Sequence, residues 1–406
     1  MTRNVCIIGG GASGVGLAWC LAKAQATGLT NDRYVVTLLH DQRPPPLVNA
    51  CPSGQGEIGG HSYSVPVTVN GTTYNIDLGV QMIAPKMYPN LMSMLNLPEF
   101  AEVTLQDVPL KISCAFPPIG GATPYWGNFP GYQQTALYQA GQADCATFTN
   151  LLLAPVPMST LDEFLTTHAG LFHNLDMFEQ YFLDPYMSIM NGYGQALLGD
   201  VNVLEIAPIF DLGYGSFSVT GKGFQRFAKG SSHWVRTMLA QAQALLGANL
   251  TVTCDATVEQ LWPSNAGPTV QWTVGGARQT KSFDVVVSTL DMNGNSTILH
   301  NPNNQLWSFF EQYVGTPSGD TNTRWDLVPG YCYLHQDASL LAPGLPTPPQ
   351  ETLQFTAYWA TQKQPYDITT TFTTYIERNL MGVEDRDFEY YLTMYGFDPT
   401  KTPGVP

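Results

Sequence analysis

Basic residues are scarce in this chain. Only 17 of 406 residues are Lys or Arg against 32 Asp or Glu, giving a formal net charge of −15. A surface of that sign repels phosphate backbones and anionic lipid headgroups, which excludes nucleic-acid binding and electrostatic attachment to membranes. It favours an uncharged or cationic small molecule as partner. Cysteine is sparse as well. Cys6, Cys20, Cys51, Cys114, Cys145, Cys254 and Cys332 are scattered, odd in number and without a C-x-x-C pair. They read as buried small hydrophobes in a reducing compartment rather than as a disulfide frame or a metal site, with Cys6 and Cys20 on the apolar faces of a strand and a helix. No apolar run approaches the ~18–20 residues of a membrane span. The first strand is under way by Val5, so the expectation is a cytoplasmic protein with no signal peptide. Neither H-E-x-x-H, a paired-carboxylate motif nor a Ser-His-Asp constellation stands out. Repeats and low-complexity segments are missing too. What remains is a loop-rich globular chain, 44% hydrophobic and long enough for two domains.

Glycine, by contrast, is concentrated where a strand should meet a helix. "VCIIGGGASGVGLAWCLAKA" (5–24) places five glycines at and just after the end of an apolar run. Gly9, Gly11 and Gly14 form G-x-G-x-x-G, followed by Val15, Leu17, Ala18, Leu21 and Ala22 at helical spacing. The first glycine permits the tight turn, the second lets backbone approach a diphosphate, and the third lets helix and strand pack closely. The helix N-terminus offers N–H groups and partial positive charge to that diphosphate, with the Ser13 hydroxyl beside them. "YVVTLLH" (34–40) supplies a returning parallel strand and completes a β-α-β unit that reads as a dinucleotide site. The residue meant to meet the ribose hydroxyls is His40, or Asp41 after a one-step shift. A Pro- and Gly-rich loop follows, then a hairpin centred on Asn70-Gly71.

Further along, "MYPNLMSMLNL" predicts a Met-rich helix. In the stretch 161–187, Leu161, Phe164, Leu165, His168, Leu171, Phe172, Leu175, Phe178 and Phe182 share one helical face. "GFQRFAKGSSHWVRTMLAQAQALLG" predicts a helix closed by Gly247, and "NLTVTCDATVEQLWP" and "FDVVVSTL" predict strands. From about residue 340 the chain is Pro- and Thr-rich with weak periodicity. His168, His173 and the aromatics around them read chiefly as core, and His335 with Asp337 as structural hydrogen bonding.

"VCIIGGGASGVGLAWCLAKA", "VTLLHD", "IGGHSYSV" and "YNIDLGVQMI" together resemble the N-terminal region of FAD-dependent amine oxidases, phytoene-desaturase-like enzymes and flavin-dependent polyenoic fatty-acid isomerases. The resemblance implies an α/β fold: a Rossmann-like FAD-binding domain of glutathione-reductase type with an inserted mixed α+β substrate domain. The FAD domain would comprise 1–85 with 222–300, the substrate domain 86–221 with 301–380, and 381–406 a tail. It also implies a second diphosphate-contacting turn at Gly59-Gly60-His61, where His61 replaces the usual basic residue. An Asp-x-Gly strand at Asp77-Leu78-Gly79 would bring Val80, Gln81 and Met82 to the flavin ring. The Val258 backbone would contact the adenine. Lys86 is the candidate for a lysine near the flavin N5, or else a solvated lysine at a helix start; Lys222 is a second basic candidate. The implied activity is hydride removal from an apolar amine, unsaturated lipid or terpenoid, with O2 as an acceptor. Isomerisation of an unsaturated fatty acid without net redox change is the alternative. A non-catalytic flavoprotein-like binding protein is a third reading, because "GFDPTKTPGVP" lacks the Gly-rich segment that closes over the flavin in this group.

Overall fold

The computed structural model describes residues 1–41, 58–108, 112–116, 125–127, 136–155, 158–191, 199, 201–211, 223–301, 304–313, 331–338, 355–359 and 371–395. The fold is mixed α/β. Four parallel strands lie in the order Val285–Ser288, Thr2–Ile8, Arg33–Leu39, Leu250–Thr253. Because successive side chains of a strand point to opposite faces, this sheet buries two different cores. Val5, Ile7, Val36 and Leu38 pack against Val15, Ala18 and Ala22 of helix Ala12–Ala26 and Val235, Met238 and Ala242 of helix Ser231–Leu246. Cys6, Ile8 and Leu39 face the other way, onto Ala256, Leu261, Val270 and Trp272. That second cover includes an antiparallel meander of Thr257–Trp262, Thr269–Val274 and Ala277–Ser282. Both-face burial explains why the parallel strands read as continuous apolar runs.

A six-stranded mixed sheet stands apart from the first. Its order is Tyr331–His335, Tyr391–Tyr395, Thr371–Ile376, Phe355–Trp359, Ile112–Ala115, Tyr125–Gly127. Its core holds Trp126, Phe148, Phe164, Phe172, Phe178, Phe182 and Tyr186. The expected core reading matches the burial of Phe164, Phe172, Phe178 and Phe182 and the partial burial of Tyr181, but not His173, which is exposed. Residues 381–395, expected as the start of a tail, contribute Tyr391–Tyr395 to the interior of this sheet. Among the described residues no helix is long and apolar enough to cross a membrane.

Three sequence expectations need correction. The long helical face from 161 is broken into Leu161–His168, a 3-10 turn Ala169–Leu171, Leu175–Phe178, a π turn Glu179–Leu183 and Asp184–Asn191. Leu171 is left exposed. Asn174 starts a fresh helix by accepting from the Met177 N–H, and Trp126 Nε1–H donates 2.5 Å to the Tyr181 carbonyl within the π turn. Second, "GFQRF" is a strand, Phe224–Phe227, antiparallel to Leu105–Val108. The helix begins only at Ser231, because Gly230 takes a left-handed φ of +86° that ends the extended run. Gly247, also left-handed, closes it as expected. Third, Cys20 is exposed on its helix rather than packed on the apolar face.

Candidate dinucleotide-binding site

The two glycine turns, far apart in sequence terms, lie side by side. The Gly59 N–H donates 2.9 Å to the Gly10 carbonyl, and Gly11 and Gly59 pair as a parallel bridge. A Cβ at Gly60 would stand 3.1 Å from the Gly11 Cα, so the backbones of the two turns approach closely and a side chain at 60 would press on Gly11. Gly9 has a φ of +111°, and a Cβ on Gly14 would overlap the Gly9 carbonyl oxygen. These two glycines thus make the strand-to-helix turn itself. Gly11 is different: a Cβ there would find its nearest neighbours at 3.8 and 3.9 Å. Its conformation is extended (φ −76°, ψ −177°), which any residue adopts. Among the described residues nothing demands glycine at 11.

The helix that starts here lacks a side-chain cap, and its first turn holds no acidic residue. Its N-terminal N–H groups and dipole therefore point at the open surface beside Gly11, Ser13 and Gly60. Gly-lined space at a helix N-terminus is what a diphosphate fits. Thr289, which follows the returning strand, fastens the underside: its hydroxyl donates to the Ile8 carbonyl at 3.0 Å. No motif around Thr289 marks this role.

His40 ends the second strand with its ring against Gly10, since a Cβ there would lie 2.7 Å from ring atoms. Its N–H donates to the Thr253 carbonyl, and its carbonyl accepts from the Ala256 N–H, both at 3.0 Å. That link carries the chain into strand Thr257–Trp262, where Val258 is half-buried opposite Trp272. Asp41 follows His40 directly and is half-buried. Most of the Pro-rich loop after it lies outside the described residues, as does Lys222.

The second turn leads onward. His61 is exposed, and its carbonyl accepts the Val80 N–H at 3.0 Å. A Cβ on Gly79 would overlap that same carbonyl, so the Asp-x-Gly glycine is required for the close approach. Gln81 is buried, its Nε2 donating to the Asp77 carbonyl and its Oε1 left without a hydrogen-bond partner. Met82 packs on the aromatic core, and Ile83 pairs with Gln225. Beyond this bridge Lys86 is exposed on the 3-10 turn Pro85–Met87.

The other singled-out histidines lie elsewhere. His168 Nδ1 is 2.8 Å from the Phe164 carbonyl, and His173 is an exposed residue whose backbone and Nδ1 meet buried Asp144. His335 Nε2 is 2.7 Å from Thr393 Oγ1 in the six-stranded sheet, and burial pushes its imidazolium below the ordinary range. The Asp337 N–H donates to its Nδ1.

Sequence reasoning missed a buried group behind the Asp-x-Gly strand. Asp77 Oδ1 accepts from Ser64 Oγ (2.6 Å), the Ser231 N–H (2.6 Å) and Ser231 Oγ (2.9 Å). Arg226 Nη2 lies 3.9 Å from Asp77 Oδ2. Glu377 is buried near both, where burial pushes its carboxyl well above the usual range. The only cue was a lone Arg in an apolar run.

No protein-family model matches the chain, and no curated protein does. Among solved structures it is similar to an oxidoreductase from Methanosarcina mazei (13% identity, TM-score 0.54), covering 98% of this chain and 80% of that one. It is also similar to wild-type putrescine oxidase bound to putrescine (16%, TM-score 0.52; 97% and 75% covered). A candidate protoporphyrinogen oxidase from Exiguobacterium is a third (14%, TM-score 0.54; 99% and 80% covered). The chain shares their fold.

Proposed function

We propose that the chain is an FAD-dependent oxidoreductase of amine-oxidase-like type, acting on an apolar small molecule. Its parallel sheet would form a Rossmann-like FAD-binding domain, with the six-stranded sheet and its helices as the substrate domain. The observation that carries this reading is the backbone pairing of Gly10 and Gly11 with Gly59 and Gly60, which sets the two turns side by side with Ser13 and Gly60 exposed next to Gly11. A nicotinamide site needs the first turn alone; the second turn gives a longer dinucleotide a second backbone contact. The shared fold with oxidoreductases supports the same reading.

Each residue then has a task. Gly11, Ser13 and Gly60 meet the diphosphate, and Gly9, Gly14 and Gly59 shape the turns that present them. His61, exposed beside Gly60, adds positive charge when protonated. His40, or Asp41 next to it, meets the ribose hydroxyls, and the Val258 backbone the adenine. Gly79, Val80, Gln81 and Met82 form the wall against the ring. Bound FAD supplies the redox chemistry by accepting hydride from the substrate. The protein's part would be to hold the ring against that wall, to present the substrate's C–H bond to the ring and to exclude water. Lys86 is assigned to assist O2 as acceptor, so Lys86→Met should slow O2 consumption; an unchanged rate removes it from the site.

The test is the visible spectrum of protein purified without added cofactor, followed by that of the supernatant after heat denaturation. Flavin bands that move to the supernatant support the reading. Colourless protein that takes up no added FAD refutes it. Oxygen uptake with amines would then define the oxidase. A shift in the ultraviolet absorbance of a polyunsaturated acid without oxygen uptake would reassign the chemistry to double-bond isomerisation.

A further inference from the structure

Three ionisable side chains from separate parts of the chain meet in the interior next to the Leu78–Met82 segment. Asp77 ends strand Thr72–Asp77, Arg226 lies on strand Phe224–Phe227, and Glu377 opens helix Glu377–Met381. They are 2%, 3% and 1% exposed. Arg226 faces Asp77 Oδ2 and also donates to the Asn75 carbonyl at 3.3 Å. Asp77 Oδ1 is saturated by Ser64 and Ser231, yet among the described residues Asp77 Oδ2 and Glu377 Oε1 have no hydrogen-bond partner. The count is two carboxyls to one guanidinium. Half-buried Cys332 and buried Tyr375, the other titratable groups acting on or near Glu377, are held neutral by desolvation. No second cation faces the cluster among these groups. An unneutralised carboxylate in such a place is costly, and a proton is the smallest remedy. Burial pushes both carboxyls up: Glu377 well above the usual range, with the Asp77 charge adding and Arg226 opposing, and Asp77 less far, because the hydrogen bonds from Ser64 and Ser231 as well as Arg226 oppose the rise there.

The cluster is tied to the candidate ring wall. Gln81 Nε2 donates to the Asp77 carbonyl, and Cys332 Sγ donates to the Leu78 carbonyl at 3.2 Å. We infer that Asp77, Arg226 and a protonated Glu377 form the positioning device of the Leu78–Met82 wall, and that ionising Glu377 loosens this wall. The positioning role rests on the proposed function, which assigns this wall to the flavin ring; the protonation of Glu377 does not.

Two measurements test it. Infrared spectroscopy of the wild-type protein at neutral pH should show the carbonyl stretch of a buried protonated carboxylic acid, lost in Glu377→Gln. A band that persists in the variant, or is missing from the wild type, overturns the inference. Binding of FAD and of ADP should then be followed against pH. ADP probes the diphosphate and adenine positions only, whereas FAD also probes the wall. Wild-type FAD affinity should fall relative to ADP as the pH rises and Glu377 ionises, and the ratio should stay flat in Glu377→Gln. Arg226→Gln should weaken FAD by about tenfold while sparing ADP. Equal loss of both ligands, or a wild-type ratio that ignores pH, overturns the positioning role. Failure of the wild type to bind either nucleotide would instead refute the proposed function and the positioning role with it, while the infrared band still decides the protonation.

Discussion

A methyl group added at Gly11 and one added at Gly14 should have opposite consequences, although the two glycines belong to one motif. At Gly14 the new Cβ overlaps the Gly9 carbonyl oxygen and lies 2.9 Å from Thr289 Oγ1 and 3.1 Å from the Gly9 carbonyl carbon. The obstacle is backbone in a turn already held at φ +111°, so the helix must shift away from the strand. Overpacking against such a rigid neighbour costs about 3 kcal/mol. At roughly 2 °C per kcal/mol for a chain of this size, Gly14→Ala should lower the Tm by about 6 °C. At Gly11 the nearest atoms are 3.8 Å away and the backbone is extended. Replacing a glycine N-cap by Ala costs some tenths to about 1 kcal/mol, offset by about 0.4–1 kcal/mol from reduced freedom of the unfolded chain. Stability should therefore stay within about 1 kcal/mol of wild type. The methyl would nevertheless enter the gap between the two turns, where the proposed function places the diphosphate. Losing one charge-assisted hydrogen bond, about 1.5–3 kcal/mol, weakens FAD by roughly tenfold to a hundredfold. Differential scanning fluorimetry and flavin-fluorescence titration read the two quantities separately. A Gly11→Ala protein that binds FAD as tightly as wild type would refute the placement of the diphosphate. One that melts as low as Gly14→Ala would refute the distinction between the two glycines.

Gly59→Ala should destabilise by about 1–3 kcal/mol, read by thermal melting, because the position has a φ of +154° and the Cβ would overlap the Ser62 carbonyl. Trp126→Phe removes the donor to the Tyr181 carbonyl and should cost about 1–3 kcal/mol, with near-ultraviolet circular dichroism reporting the loosened π turn. Glu377 has a raised folded-state pKa, so its contribution is fully present below the ordinary carboxylate value and is lost as pH rises toward the folded value. The stability of wild type relative to Glu377→Gln should accordingly fall with increasing pH, by at most about 1.4 kcal/mol per unit, and a difference that rises with pH would be the wrong sign.

The parallel sheet was readable because each of its features is local. A strand buried on both faces leaves a continuous apolar run, an Asn-Gly hairpin announces itself (φ +49° and +79° in the structure), and three glycines at fixed spacing mark a turn onto a helix. The site's adjacency was legible only through resemblance. Nothing between residues 14 and 59 says that Gly59 will donate to Gly10, since that pairing depends on where a long loop returns. Phe224–Phe227 read as helix because its apolar residues fit either period over four positions, and Gly230 carries the boundary through its backbone angle rather than its side chain. Tyr391–Tyr395 escaped notice for a different reason: an interior strand of a mixed sheet takes its stability from partners at 331–335 and 371–376, which the local pattern cannot show.

The two legible and illegible halves meet at Asp77. Its sequence neighbour Gly79 is required because the His61 carbonyl leaves no room for a side chain, which is a local steric demand visible as a motif. Asp77 itself is held by Ser64, Ser231 and Arg226, from one hairpin partner and two later elements. A charged residue buried this deeply needs its partners before the strand can close, so the hairpin, the Phe224–Phe227 strand and the start of helix Ser231–Leu246 form one cooperative unit. The same unit sets where His61, Gly79 and Val80 stand relative to Gly11. The position of the Leu78–Met82 segment against the glycine turns is therefore set by buried polar contacts from residues about 150 positions away, and not by the glycine motifs alone.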